Sequence, residues 1–479
     1  MTNSGIPGDT PANTPANTPP SNCADPPAGA SGTGASGISP GAEDLALQEP
    51  SSGAQEQGEL STVAQVDPAE IPPGRFTLAL KEILAGSWLL SVLAVVLALL
   101  IGAILIAASN PDVQRTAGYL LARPGDFFVA VWDVVSRAYV ALFQGAVFNF
   151  EANNFTRAIK PLTNTLTASA PLIFAGLGLA IGFRAGLFNI GAQGQIILGS
   201  IFAAWLGFAL HLPPGIHLLV VAFGALAGGA LWGFIPGILK ARTGANEVIV
   251  TIMLNWIAVY GVSYLLTLDA FQRPGSNNPQ SPLIDQNAQF PLILGSQFNT
   301  HLGFLLALVA AVGVWWLMER STLGLRFRAL GLNPAAAKTA GINTDRCYVW
   351  AMMIAGGLAG LAGSAQIQGT ERFLTANIAG SFGFDAITVA LLGRSRALGT
   401  VLAGLLFGGL KAGSYAMQVV TNSVDVVLVL QSVIVLFIAA PPLIRAIFRL
   451  PDPEAVHRAK LAAASVDRRQ RPRRKEVAS

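Results

Sequence analysis

PLTNTLTASAPLIFAGLGLAIGFRAGLFNIGAQGQIILGSIFAAWLGFALHLPPGIHLLVVAFGALAGGALWGFIPGIL, residues 161–239, runs for 79 residues with Arg184 as its one Asp, Glu, Lys or Arg. A helix needs roughly 20 mostly apolar residues to cross the hydrocarbon core of a bilayer. The stretch therefore holds three spans, broken near Arg184 and again at the HLPPG of His211–Gly215. Upstream, Gly86–Ala108 adds 23 residues without a charge. Downstream come Val248–Leu268, Leu302–Met318 and Cys347–Gln368. After Asp385 the pattern is broken: Ala386–Gly393 is apolar but short, Ala397–Val420 is interrupted by Lys411, and Val426–Ile444 closes the series. The expected fold is an all-α polytopic membrane protein of about ten transmembrane helices, some broken or re-entrant. Eight spans plus a re-entrant hairpin is the alternative.

Composition agrees. Of 479 residues, 52% are apolar and 12% charged, against roughly 25% charged in soluble domains. Two cysteines and four histidines leave neither a disulfide scaffold nor a metal cluster. Residues 1–74 hold nine acids and no Lys or Arg, in Pro/Ala/Ser-rich runs such as TPANTPANTPPSN. They gather too little apolar surface to offset the entropy of ordering, so a disordered acidic extension is expected. No basic segment leads into an apolar core there, so it is not a secretory leader, and Cys23 lacks the apolar run that lipidation would follow. Residues 75–447 form the expected transmembrane domain and 448–479 a basic tail.

Loop charge sets the expected orientation. Glu319–Arg346 carries five Lys/Arg, and Arg445–Ser479 carries ten against four acids, whereas Asp269–His301 has one Arg and two Asp. The positive-inside rule puts the first two in the cytoplasm and the third outside. Both termini are then cytoplasmic, which an even number of spans satisfies. Ser109–Lys160 falls outside; within it FFVAVWDVVSRAYVALFQ places Asp133 and Arg137 on one helical face. An interfacial helix is the first reading, an extra buried helix the second.

Small residues recur in the spans, as in LIFAGLGLAIGF, FGALAGGALWGF, MMIAGGLAGLAGSA and LAGLLFGGLKAG. They let helices approach closely in lipid, and Gly-interrupted helices also occur where transporters place binding sites and hinges. A weak internal repeat points the same way. GLFNIGAQGQIILGSIFAAWLG and SFGFDAITVALLGRSRALGTVLAGLLFGG each pass from Gly/Phe through a polar Asn189 or Asp385 and a short apolar stretch into a small-residue helix.

The polar residues inside the spans are the candidates for function. Asn189, Gln193 and Gln195 would be expensive facing lipid. They either tie helices together or line a broken helix beside a polar path, with Gly186, Gly191 and Gly194 permitting the break. Asn246 or Thr243 caps the next span and Glu247 suits its first turn, while Thr251 and Asn255 lie deeper. Gln366, Gln368 and Asp385, with Thr167, complete the path candidates, and Lys411 stands with Asp385 and Asp425 among the last spans. In Glu319–Arg346, two short helices are expected. Asn333-Pro334 reads as N-cap and first residue, Ala335–Ala340 propagates and Gly341 stops. Its smooth Ala/Gly surface suits docking by another protein. No phosphate-cradling GxxxxGK[ST] and no Ser/His/Asp set is present, so the chain reads as neither enzyme nor nucleic-acid binder, with no cofactor or catalytic metal.

GLFNIGAQGQIILGS, TGANEVIVTIMLNWIA, RALGLNPAAAKTAGI and GFDAITVALLGR together resemble the permease subunits of bacterial ABC importers, in the branch for simple sugars, branched-chain amino acids and nucleosides. The resemblance covers Ile83 to Ile447, and GANEVI followed by TIMLN is most similar to the nucleoside-type permeases. It departs at Gln193, where relatives often carry Glu. The resemblance implies a bacterial inner-membrane protein working with a cytoplasmic ABC ATPase, a second and different permease subunit, and an external substrate-binding lipoprotein. It also implies an ATPase-coupling element at Leu330–Ile342, comprising Leu330, Gly331, Asn333, Pro334, Ala335, Ala336, Gly341 and Ile342. The uncharged amides and hydroxyls of the path candidates then suit a nucleoside; a simple-sugar ABC permease, or a secondary transporter working without an ATPase, is the alternative.

Overall fold

The computed structural model describes residues 87–450 apart from 277, 422–425 and 440. The acidic extension, Cys23, Asp425 and the tail from residue 451 lie outside the described residues. Every extended run of secondary structure among the described residues is helical, with strand pairing limited to isolated bridges at Gln280–Thr375 and Leu292–His301.

In chain order the helices are α1 (Ser87–Ser109), α2 (Pro111–Ala117), α3 (Pro124–Ala146), α4 (Phe155–Arg184), α5 (Ala192–Ala209), α6 (Ile216–Thr243) and α7 (Glu247–Leu265). After a long irregular connection follow α8 (Leu302–Arg320), α9 (Thr322–Leu332), α10 (Pro334–Thr339) and α11 (Thr344–Ser364), which continues as a π-helical stretch over Ala365–Glu371. The last are α12 (Phe382–Leu392), α13 (Ala397–Thr421), α14 (Val426–Ala439) and α15 (Pro441–Phe448). Eight of them, α1, α4 to α8, α11 with its π extension, and α13, are long and apolar enough to cross a membrane. The 11 residues of α12 and the 14 of α14 are short for a full crossing. Lys411 does not interrupt α13, because its ammonium is paired with Asp385.

Caps decide several boundaries. The side chain of Asn246, rather than Thr243, accepts from the Val248 and Ile249 amides at the start of α7. Asn333 does the same for Ala335 and Ala336 at α10, where Pro334 costs nothing because a first-turn amide has no intrahelical partner. Gly341, with φ of 81°, takes the left-handed conformation after α10 that a side chain would resist.

The helix α4 is the centre of the bundle, with every residue from Ser169 to Gly182 buried. Around it α5, α6 and α11 meet along a seam of glycines. A Cβ on Gly229 of α6 would strike the Gly356 carbonyl of α11, and one on Gly356 would strike the Gly229 carbonyl in return. One on Gly360 would meet the Ala225 carbonyl, and one on Gly363 the Ile196 carbonyl of α5 at 2.5 Å. On the other side of α4, Gly404 and Gly408 of α13 seat Ile173 and Ser169. In lipid, apolar burial does not drive helices together, so this backbone-to-backbone contact carries the packing. The helix α3 is neither wholly interfacial nor wholly buried. Ala138, Leu142 and Ala146 pack inward, toward α13, while Phe128 and Trp132 are exposed beside the Asp133–Arg137 ion pair.

Candidate functional site

The break between α4 and α5 is built by short polar side chains. Gly186 turns the chain at φ of 73°. The segment to Gly191 is then held in place by side chains rather than by a helix. The Asn189 amide donates to Gln195 Oε1 at 3.1 Å and its oxygen accepts from the Gly191 amide at 2.8 Å. Thr251 Oγ1 accepts from Ile190 N at 3.3 Å. Asn255 of α7 spans the junction, donating to the Ile190 carbonyl at 2.9 Å and accepting from Gly194 N at 2.8 Å.

Gln193 joins this break to a second one. Its amide donates to the Gly380 carbonyl at 2.6 Å, and its oxygen accepts from Gly383 N at 3.0 Å. The two segments that share a sequence pattern therefore lead into α5 and α12, and the first turns of these helices touch. A Cβ on Gly383 would fall 2.5 Å from the Gln193 Cα, so glycine is required for the approach. Gln368 is likewise committed, donating to the Ala288 carbonyl at 2.7 Å and the Leu218 carbonyl at 3.2 Å. Asn189, Gln193, Gln195, Thr251, Asn255 and Gln368 are thus each hydrogen-bonded within the bundle.

Gln366 and Asp385 stand elsewhere. Gln366 lines a cavity of about 570 Å³ between α4, the π-helical end of α11 and α13. Asn164, Thr167, Asn299 and Thr370 supply further neutral polar groups, and Phe382 and Tyr415 supply rings. Glu371, Arg372 and Lys411 also reach it, so the lining is not free of charge. Asp385 sits behind Lys411, 3.5 Å from its ammonium, and both share the Ser381 hydroxyl. Sequence reasoning did not single out Asn164, Asn299 or Tyr415. Asn299 comes from the irregular connection and reaches the cavity through a 2.8 Å bond to Asn164, a contact between residues 135 apart.

At the opposite end of α4, the corner between α9 and α10 presses on the break. A Cβ on Gly331 would strike the Arg184 carbonyl, and it would lie 2.9 Å from Gly186 N. Leu330 is fully buried, whereas Leu332 is 88% exposed. Pro334, Ala335 and Ala336 are also exposed. Glu319 braces this end, bonded to Arg184 at 2.7 Å and to Arg328 at 3.3 Å. Glu247 does more than sit in a favourable first turn, since it pairs with Lys240 at 2.6 Å.

His301 caps α8 by accepting from Gly303 N at 3.1 Å, stacks on Phe290, and is 1% exposed. Burial lowers its pKa from 6.5 to about 4. The native state therefore holds the neutral ring while the unfolded chain takes up a proton below 6.5. Stability is full above pH 6.5 and falls as pH drops toward 4, by up to roughly 3 kcal/mol. His301→Asn keeps a capping acceptor and does not titrate. Thermal unfolding of the two purified proteins between pH 7 and 4 should show a pH-dependent difference that the parent alone contributes, and parallel curves would refute the assignment.

The family model described as branched-chain amino acid transport system, permease component, matches residues 162–439. The chain is 40% identical to the Bacillus subtilis protein named guanosine ABC transporter permease protein NupP, over 59% of this chain and 81% of that one. It is 34% identical to the Haloferax volcanii glucose ABC transporter permease protein TsgB13, over 58% and 75% of the two chains. It is also 34% identical to the Lactococcus lactis nucleoside ABC transporter permease protein NupB, over 62% and 83%. No solved structure matches the chain.

Proposed function

Because the chain belongs to the branched-chain amino acid transport system permease family, an ABC-transporter permease family and not an enzyme family, we propose that its cargo is a nucleoside and that the cavity at Gln366 is part of the path. The observation that carries this reading is the lining itself. Neutral amides and hydroxyls at Asn164, Thr167, Asn299 and Gln366 stand beside the rings of Phe382 and Tyr415. A nucleoside is uncharged, with hydroxyls for the first group and an aromatic base for the second. The names of two relatives, for guanosine and for nucleoside transport respectively, support the same cargo. A relative named for glucose makes a neutral sugar the competing outcome of the test.

As one component of a system, the permease works with others. The α9–α10 corner docks a cytoplasmic ABC ATPase, a second and different permease pairs with this one in the bacterial plasma membrane, and an external lipoprotein delivers cargo. Both termini then face the cytoplasm. Movement of the corner reaches Arg184 and Gly186 through Gly331, then the segment held by Asn189 and Asn255, then α12 through Gln193. Two packed arrangements of this chain, biased by ATP on the partner, give access from alternate sides. The amides inside the bundle therefore position moving parts, and Gln366 and the Asp385–Lys411 pair meet the path.

The test is uptake of labelled guanosine, adenosine or uridine by cells carrying the complete importer. Excess unlabelled nucleoside should abolish it and excess glucose, ribose or leucine should not. Asn255→Leu leaves Gly194 N and the Ile190 carbonyl without partners, at roughly 1–3 kcal/mol each, and should lower uptake about tenfold by weakening the joint. Full competition by a sugar with none by nucleosides would reassign the cargo.

A further inference from the structure

The cavity floor contains a cation whose position is set by three groups. Lys411 Nζ lies 3.0 Å from Ser381 Oγ, 3.5 Å from Asp385 Oδ2 and 3.6 Å from the centre of the Phe382 ring. Its side chain is 27% exposed, and both it and Phe382 line the cavity. An ammonium has three protons. The ammonium donates to Ser381 and pairs with Asp385 at 3.5 Å, and its further donor capacity meets the Phe382 ring face, an interaction weaker than a charge-assisted hydrogen bond. Asp385, 18% exposed, already accepts from Ser381 at 2.6 Å, so the pair is complete without further help from the protein.

We propose that Lys411 is a specificity-determining residue of the path: its ammonium donates to an oxygen or nitrogen acceptor of the cargo, in exchange for its contact with the Phe382 ring. The proposal rests on the reading of the cavity as part of a nucleoside path. It explains why a charge is kept in a span when an uncharged residue would be cheaper there. It also gives occupancy of the cavity a physical route to the helix junction. Ser381 and Asp385 belong to the start of α12, and the adjoining Gly380 and Gly383 are the groups that Gln193 holds. A cargo atom drawing Lys411 away from Phe382 therefore acts on the turn that links α12 to α5.

The alternative is that Lys411 only neutralises Asp385, and a double variant separates the two. Lys411→Met leaves a carboxylate without its counter-ion, so uptake should be lost under either view. Lys411→Met with Asp385→Asn removes both charges together. If Lys411 touches cargo, the double variant inserts in the membrane and co-purifies with its partners but has nucleoside kcat/KM at least tenfold below the parent. Parental uptake by the double variant overturns the proposal. Lys411→Arg, which keeps the charge and a donor, serves should the double variant fail to insert. Its uptake of adenosine is compared with that of 2′-deoxyadenosine, 3′-deoxyadenosine and 7-deazaadenosine, each lacking one acceptor. A contact changes at least one of these selectivity ratios threefold or more relative to the parent, since the same lipoprotein delivers cargo to both proteins. A purely structural lysine lowers every substrate by the same factor, and ratios equal to the parent's overturn the proposal. Absence of nucleoside uptake by the parent importer, by contrast, would refute the cargo reading itself.

Discussion

Leu332→Glu and Ala336→Asp are each expected to abolish ATP-driven uptake, by more than 20-fold if ATPase docking is lost at a cost of about 2 kcal/mol or more, while leaving the fold at parental stability. Leu332 is 88% exposed, so a glutamate there meets solvent in the isolated chain. Ala336 is the third residue of α10, counting from Pro334, and it too is exposed. A carboxylate in a helix's first turn is favourable by the helix dipole, so the aspartate should support α10 rather than break it. Loss of function then has to come from the surface. In the proposed docking the exposed Leu332, Pro334 and Ala335 would meet the ATPase, and a buried unpaired charge is the change such an interface tolerates least. The measurement is co-purification of the ATPase with each variant together with uptake in cells. Variants that keep both would place the ATPase contact elsewhere.

Gly356→Val should have the largest effect on the fold. The first atom of the new side chain falls on the Gly229 carbonyl, which cannot move without displacing α6. Overpacking costs typically 1–3 kcal/mol when side chains can adapt, and backbone has less room to give, so about 3 kcal/mol or more is expected. The protein should fail to accumulate or unfold well below the parent's temperature in detergent. Gly313→Ala in α8 is the control. Nothing lies within 4 Å of a Cβ there, and alanine is the better helix former by about 1 kcal/mol. Equal behaviour of the two variants would mean that the α6–α11 seam does not carry the packing.

Why these predictions differ in origin is a matter of range. The corner at α9–α10 was legible because capping is local: Asn333, Pro334 and Gly341 act on residues within a few positions of themselves. The break before α5 was legible in part. Gly186 does take a positive φ, but Gly191 and Gly194 are there for close approach to Thr251 and Asn255, which spacing alone does not reveal. The cavity was least legible. Gln366 was recognised as a polar residue in a span, yet so was Gln368, and one faces the cavity while the other, two residues on, bonds to the Ala288 and Leu218 carbonyls.

The sequence by itself determined that this is a helical membrane protein, roughly where its spans run, how several helices start, and which family its motifs resemble. Each of these depends on hydropathy over about 20 residues or on a capping group beside its target. Only the tertiary structure decided which polar side chains are spent on the fold and which line a cavity. An amide in an apolar run costs the same in lipid whatever its partner, so the pattern registers that a partner exists but not which one. Gln193 meets Gly383 across 190 positions of chain, and Asn255 meets Ile190 across 65. Those pairings follow from how closely the glycine seams let the helices approach, a property of helix pairs that no single segment carries.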